Sequence, residues 1–177
     1  MTSRYEIREA NEVDALGLQV FMEDLLAERL PVLFDRESFP SFEEERAFVR
    51  STLASGGVVF VAVVEEKIVG LIDFHPEPRV QCAHGGHFGM SVAHAHRGQG
   101  IGKALLRRLL DWTKEHRFTR VELQVFETNA AAIRLYEEMG FAHEGRRRRA
   151  VNVGKQKIDL LLMARVWDED DKGALAR

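Results

Sequence analysis

One cysteine in 177 residues, Cys82, excludes a disulfide framework and a cysteine-based zinc site. Four prolines and fourteen glycines leave no room for a Pro- or Gly-rich linker, and we find no internal repeat or low-complexity segment. No apolar run approaches the roughly 18 residues that a membrane span needs. The chain starts Met1-Thr2-Ser3-Arg4-Tyr5-Glu6, without an apolar signal core, so cytoplasmic residence and no membrane partner are the expectation. Neither sign of charge dominates: 25 Lys and Arg face 28 Asp and Glu, a net charge of -3, which gives no reason to expect nucleic acid as a partner.

What is present suits a globular α/β domain. The composition is 45% hydrophobic and 30% charged. A chain of this length buries about 70% of the surface its unfolded form exposes, without disulfide or metal. One domain over residues 1–166 with a charged tail, 167–177, is expected. Tyr5-Glu6-Ile7-Arg8 alternates as a short strand. Asn11 caps a helix running toward Leu30, with Val13, Leu16, Val20 and Leu25 among its apolar positions. Ser41-Phe42-Glu43-Glu44 is a capping box opening a helix to about Ala54. Val58 to Val64 and Lys67 to Phe74 form a hairpin, and His87 to Val92 a further strand. Gly100 to about His116 is an amphipathic helix with Ile101, Leu105, Leu109 and Trp112 on one face. Arg120 to Phe126 is a strand, and Asn129 caps a helix through Met139 that Gly140 closes. Phe141 to Val151 and Gln156 to Val166 are two long strands. The order β-α-α-β-β-β-α-β-α-β-β predicts an α/β fold with a mixed sheet.

The chemistry concentrates between strand and helix, in Val92-Ala93-His94-Ala95-His96-Arg97-Gly98-Gln99-Gly100-Ile101-Gly102-Lys103. Glycines at every second position let backbone N–H groups approach a ligand. The following helix aims its unsatisfied N–H groups and positive dipole end at the same place. Arg97 and Lys103 add charge, so an anion site for phosphate is the reading, against a plain tight turn. A Walker A loop fails twice, with Arg97 where its first glycine belongs and Ala104 where its Ser/Thr belongs. A dinucleotide fingerprint fails at Lys103 or Leu105.

Arg97-x-x-Gly100-x-Gly102 after a strand ending in Val92 resembles the pyrophosphate signature of the GCN5-related N-acetyltransferase (GNAT) superfamily. The stretch from Val121 through Asn129 to Tyr136-Glu137-Glu138-Met139-Gly140-Phe141 is similar to the same superfamily's second signature. The C-terminal strands look most like its bacterial branch of amino-acid and protein N-terminal acetyltransferases. The resemblance implies the GNAT fold and acetyl-CoA as acyl donor; no metal is expected, from the residues themselves. It implies a primary amine of an amino acid, small molecule or polypeptide end as acceptor, attacking the thioester directly. It places the cofactor arm along Met90, Ser91 and Val92, and the pyrophosphate on Arg97, Gly98, Gln99, Gly100, Ile101, Gly102 and Lys103. Asn129 touches the arm, and Tyr136 is the general acid; the other reading of Tyr136 is plain core.

Relatives often carry a glutamate base five residues before the Asn. Here that position is Gln124, which takes no proton. Glu122, two residues earlier, is either a water-relayed substitute or a solvated strand end. At pH 7 a lysine ammonium costs about 4.6 kcal/mol to deprotonate, an α-amine about 1.2. A site without a strong base therefore favours an α-amine.

Several residues read otherwise as ordinary surface. His84, His87, His94 and His96 sit in or beside loops without a suitably spaced acid or thiol. Arg146 to Arg149 alternate between strand faces, so they form either a solvated edge or a patch for an anionic partner. Glu23, Asp24, Glu28 and Arg29 either read substrate charge or form a solvated helix face. The long C-terminal strands suit a homodimer. The alternative to an enzyme is an acyl-CoA sensor or interaction module that keeps the loop and loses turnover.

Overall fold

The structure is a computed structural model that describes residues 5–28 and 39–167. The expected helix end at Leu30, Arg29 and most of the charged tail lie outside the described residues. The elements are β1 (Glu6–Glu9), α1 (Ala15–Ala27), α2 (Phe42–Ala54), β2 (Val58–Val64), β3 (Lys67–Pro76), β4 (Gly85–Val92), α3 (Ile101–Glu115), β5 (Arg120–Phe126), α4 (Ala130–Glu138), β6 (Ala142–Val153) and β7 (Gln156–Val166). This is the α/β order expected from the sequence. Seven strands make one mixed sheet, ordered β1-β2-β3-β4-β5-β7-β6. Short 3-10 turns lie at Glu12–Asp14, Val80–Cys82 and His94–His96.

By backbone contacts the chain divides into two compact units, residues 1–75 with 89–109, and 76–88 with 110–177. In the first, β1 pairs antiparallel with β2, and β2 with β3. Val59, Val61 and Leu71 turn one face of these strands toward Leu18, Phe21, Met22 and Leu25 of α1 and Val49 of α2. The other face receives α3: a Cβ at Gly70 would stand 3.0 Å from Leu105 Cδ1 and 3.3 Å from Ile101 Cγ2. Ser41 caps α2 reciprocally with Glu44, as its sequence predicts. The turn out of α2 is tight at Gly57, whose N–H donates to Thr52 O at 3.0 Å. A Cβ on Gly57 would fall 2.1 Å from the Phe74 carbonyl oxygen.

The reading of the first helix needs correction. Asn11 caps a 3-10 turn, not the helix itself, and α1 begins only at Ala15. Its buried side is Ala15, Leu18, Phe21, Met22 and Leu25, while Val13, Leu16 and Val20 are exposed. The segment is apolar on more than one side, and periodicity alone does not select which stripe meets the sheet.

In the second unit, β4 runs parallel to β5 at Gly85 to His87, and β5 pairs antiparallel with β7 along its whole length. The β6–β7 hairpin turns at Gly154-Lys155, and its register shifts between His143 and Gly145 and between Arg147 and Val151. Strict alternation of Arg146 to Arg149 therefore does not hold. Arg149 takes a left-handed φ of 51°, and its N–H donates to Asp159 Oδ1 at 2.6 Å. Arg146 pairs with Asp159 at 2.5 Å and with Glu127.

Candidate functional site

The strand-to-helix connection of the first unit is the candidate anion loop. β4 ends at Val92, a 3-10 turn follows, and Gly98 and Gly100 take left-handed φ values of 72° and 84°. At Gly100 a side chain would be strained. The Gly100 carbonyl accepts the N–H of Ala104 at 3.0 Å, so α3 starts here with its free N–H end at the glycines. Ile101 is buried as the anchor of α3, whereas Gly98, Gln99, Gly100 and Lys103 are exposed. Met90, Ser91 and Val92 are half-buried on β4. The loop is internally tied: Gln99 Nε2 donates to Ala95 O at 2.9 Å, and Arg97 Nε donates to Val92 O at 2.8 Å. Paired left-handed glycines at a helix N-terminus, beside a guanidinium, fit a diphosphate.

The structure brings Arg97, Gly98, Gln99, Gly100, Ile101, Gly102 and Lys103 together on one loop and the first turn of α3. Asn129, Tyr136, Glu122 and Gln124 belong to the second unit.

There Asn129 Oδ1 accepts the N–H of Ala132 at 3.2 Å and caps α4. Tyr136 is buried on α4, its ring edge-on to Phe88 at 5.8 Å and tilted to Phe141 at 5.9 Å. Burial pushes its hydroxyl up to about 12, so it carries its proton at neutral pH. Glu122 is held by Arg120 at 2.9 Å, and Arg120 is also held by Glu144 at 2.5 Å. Glu144 first and then Glu122 push the Arg120 guanidinium up. Gln124 Oε1 accepts from Arg147 Nη1 at 2.9 Å. Gln124, at the expected base position, and Glu122, its possible substitute, are thus each engaged by an arginine.

Two arrangements escaped the sequence reading. Glu28 reaches the anion loop rather than forming a solvated face: it accepts from His94 N–H at 3.1 Å and from Arg97 Nη2 at 2.6 Å. Asp73 and His75 on β3 form a pair at 2.7 Å. Their i, i+2 spacing on a strand was the available signal. Opposite them, a Cβ at Gly89 would come within 3.1 Å of Asp73 Oδ1. Among the described residues no group of three or more His, Cys, Asp or Glu gathers for a metal, and no helix is long and apolar enough to cross a membrane.

A family model described as the Acetyltransferase (GNAT) family matches residues 20–141. L-amino acid N-acetyltransferase AaaT of Escherichia coli (strain K12) is 31% identical over 107 residues, which are 60% of this chain and 66% of that protein. The matched stretches span less than two thirds of the length of the curated relatives. Ribosomal-protein-alanine N-acetyltransferase from Brucella melitensis has a similar structure: TM-score 0.82, 26% identity, 92% of this chain and 99% of that one covered. An acetyltransferase structure from Salmonella typhimurium with its cofactor acetyl-CoA shares the fold at TM-score 0.83 and 21% identity, covering 94% of this chain and 96% of that one.

Proposed function

Because the chain belongs to the acetyltransferase (GNAT) family, we propose that it transfers acetyl from acetyl-CoA to a primary amine, and to an α-amine in preference to a lysine side chain. The observation that carries the reading is the anion loop, with Gly98 and Gly100 left-handed at the start of α3. The loop N–H groups from Gly98 to Lys103, with Arg97, hold the diphosphate. The β4 backbone at Met90, Ser91 and Val92 pairs with the pantetheine arm, and an N–H near Val92 faces the developing oxyanion. Acetyl-CoA supplies the activated acyl thioester. The neutral amine nitrogen bonds to the acyl carbon, the carbon–sulfur bond breaks, and Tyr136 gives its proton to the departing sulfur. The proton lost by the acylated nitrogen passes to water, from which Tyr136 is reprotonated.

The α-amine preference is supported by Gln124, which takes no proton, and by Glu122, which is bound to Arg120. The names of two relatives, an L-amino acid and a ribosomal-protein-alanine N-acetyltransferase, point the same way. A sensor without turnover would keep the same loop; the retained Tyr136 favours the enzyme, and Gln124 is the point against it.

The experiment is an amine panel with acetyl-CoA, reading free thiol: amino acids, peptides of varied N-terminus, α-blocked lysine peptides, polyamines and aminoglycosides. We expect free α-amines to exceed α-blocked lysine in kcat/KM at pH 7, with the gap narrowing toward pH 9. Equal values at pH 7 overturn the acceptor class, and no thiol release with any amine overturns turnover. Gly100→Val must abolish acetyl-CoA binding by calorimetry while a cooperative melt persists.

A further inference from the structure

Glu28 is the C-cap residue of α1. It stands 69 residues before Arg97 in the chain, yet both of its carboxylate oxygens are spent on the anion loop. One accepts the backbone N–H of His94, in the 3-10 turn. The other accepts Arg97 Nη2. Its side chain is 18% exposed and that of Arg97 36%, so the carboxylate is the more shielded partner of the pair. Arg97 is held twice over, through Nε by the Val92 carbonyl and through Nη2 by Glu28. A guanidinium is planar with five N–H donors. Two bonds from different nitrogens fix that plane while further donors remain for a ligand.

A carboxylate beside an anion site has two opposed effects. Its charge repels a diphosphate. Its bonds order the turn and the guanidinium before the ligand arrives, which lowers the entropy cost of binding. The sign of the effect on affinity tells which one wins.

We propose that Glu28 is a positioning residue of the donor site, acting through Arg97, and that ordering outweighs repulsion. The proposal rests on the reading that the loop takes the diphosphate of acetyl-CoA. It makes the end of α1 part of the donor site, although α1 contributes no residue to the glycine motif.

The test is calorimetry with acetyl-CoA on the full chain and on Glu28→Ala, Glu28→Gln, Arg97→Ala and the Glu28→Ala/Arg97→Ala double variant. Glu28→Ala is expected to weaken binding about 5- to 30-fold, or roughly 1–2 kcal/mol at 1.4 kcal/mol per decade. Glu28→Gln, with one acceptor oxygen for two donors, falls between. In the Arg97→Ala background the Glu28→Ala loss shrinks to less than half, because the two residues act as a unit. A general loss of structure would instead lower affinity alike in both backgrounds, and melting curves check it. If Glu28→Ala fails to fold, Glu28→Gln with its own cycle decides the same question. Tighter binding in Glu28→Ala, unchanged binding, or additive losses overturn the proposal. Unchanged Glu28→Ala beside a Gly100→Val variant that no longer binds sinks only the Glu28 role. An unmodified chain that binds no acetyl-CoA sinks both this role and the functional reading.

Discussion

Tyr136 is the residue on which chemistry and packing make separable claims. Its ring lies against Phe88 and Phe141, and burial pushes its hydroxyl up to about 12. A group whose folded value lies above its unfolded value near 10 holds its proton more tightly when folded. That contribution to stability is complete below about pH 10 and is lost as pH rises through about 12. Tyr136→Phe should therefore remove an alkaline limb from the stability profile whatever its catalytic role. If Tyr136 also protonates the departing sulfur, the same variant should lose about 10² to 10⁴ in kcat with acetyl-CoA affinity little changed. Turnover within threefold of the parent would make the residue purely structural. Kinetics with a saturating acceptor, calorimetry and pH-dependent melts decide both points on one variant.

Among elements, the connection of the first turn to α2 is electrostatic. Glu12 takes Arg50 at 2.5 Å and Arg46 at 2.8 Å. Arg50 first, then Arg46, hold its carboxyl down from 4.5 to about 2. A depressed folded value contributes stability above the unfolded value and loses it as pH falls. The window here is about pH 4.5 down to 2. Glu12→Gln should flatten the acid limb of the stability profile in that window and leave its neutral and alkaline parts alone; an unchanged acid slope would show that the pairs are idle. The same region shows what the sequence reveals and what it hides. The reciprocal cap at Ser41 and Glu44, the bounds of α2 and β7, and the glycine loop before α3 are local signals and are readable along the chain. The face of α1 is not: Leu16 and Val20 compete with Leu18, Phe21 and Met22 for the sheet, and only packing chooses. Glu28 on Arg97 and Arg147 on Gln124 join residues 69 and 23 positions apart, so no window of sequence contains them. Of the candidate site, the motif is legible in the sequence and the partners of its residues are not.

For the whole molecule, a net charge of -3 conceals a strongly basic edge. β6 ends the sheet order, is exposed from Ala142 to Arg149, and is interrupted by two register shifts. Charged side chains and bulges on an edge strand oppose pairing with another chain. The long C-terminal strands that suggested a homodimer are thus poorly suited to extend a sheet through this edge. Replacing Arg147 and Arg148 by valine should promote self-association that rises with protein concentration, read by sedimentation velocity. A double variant that sediments as the parent does at every concentration would show that the arginines do not guard the edge.

Gly57 bears on which sequences this fold admits at all. The 2.1 Å between a Cβ there and the Phe74 oxygen is a clash with backbone, not with a side chain that can swing away. Thr52 O would stand at 3.0 Å from the same Cβ. Even alanine must therefore move β3 or the end of α2. In a library carrying all twenty residues at position 57, selected for folded protein at elevated temperature, glycine should be the sole survivor. The exposed neighbour Gly56, with nothing within 4 Å of its Cβ but a left-handed φ of 80°, should also admit asparagine and aspartate. Two adjacent glycines, identical in the sequence, would then differ in how much variation each allows: one is confined by space, the other only by a torsion angle.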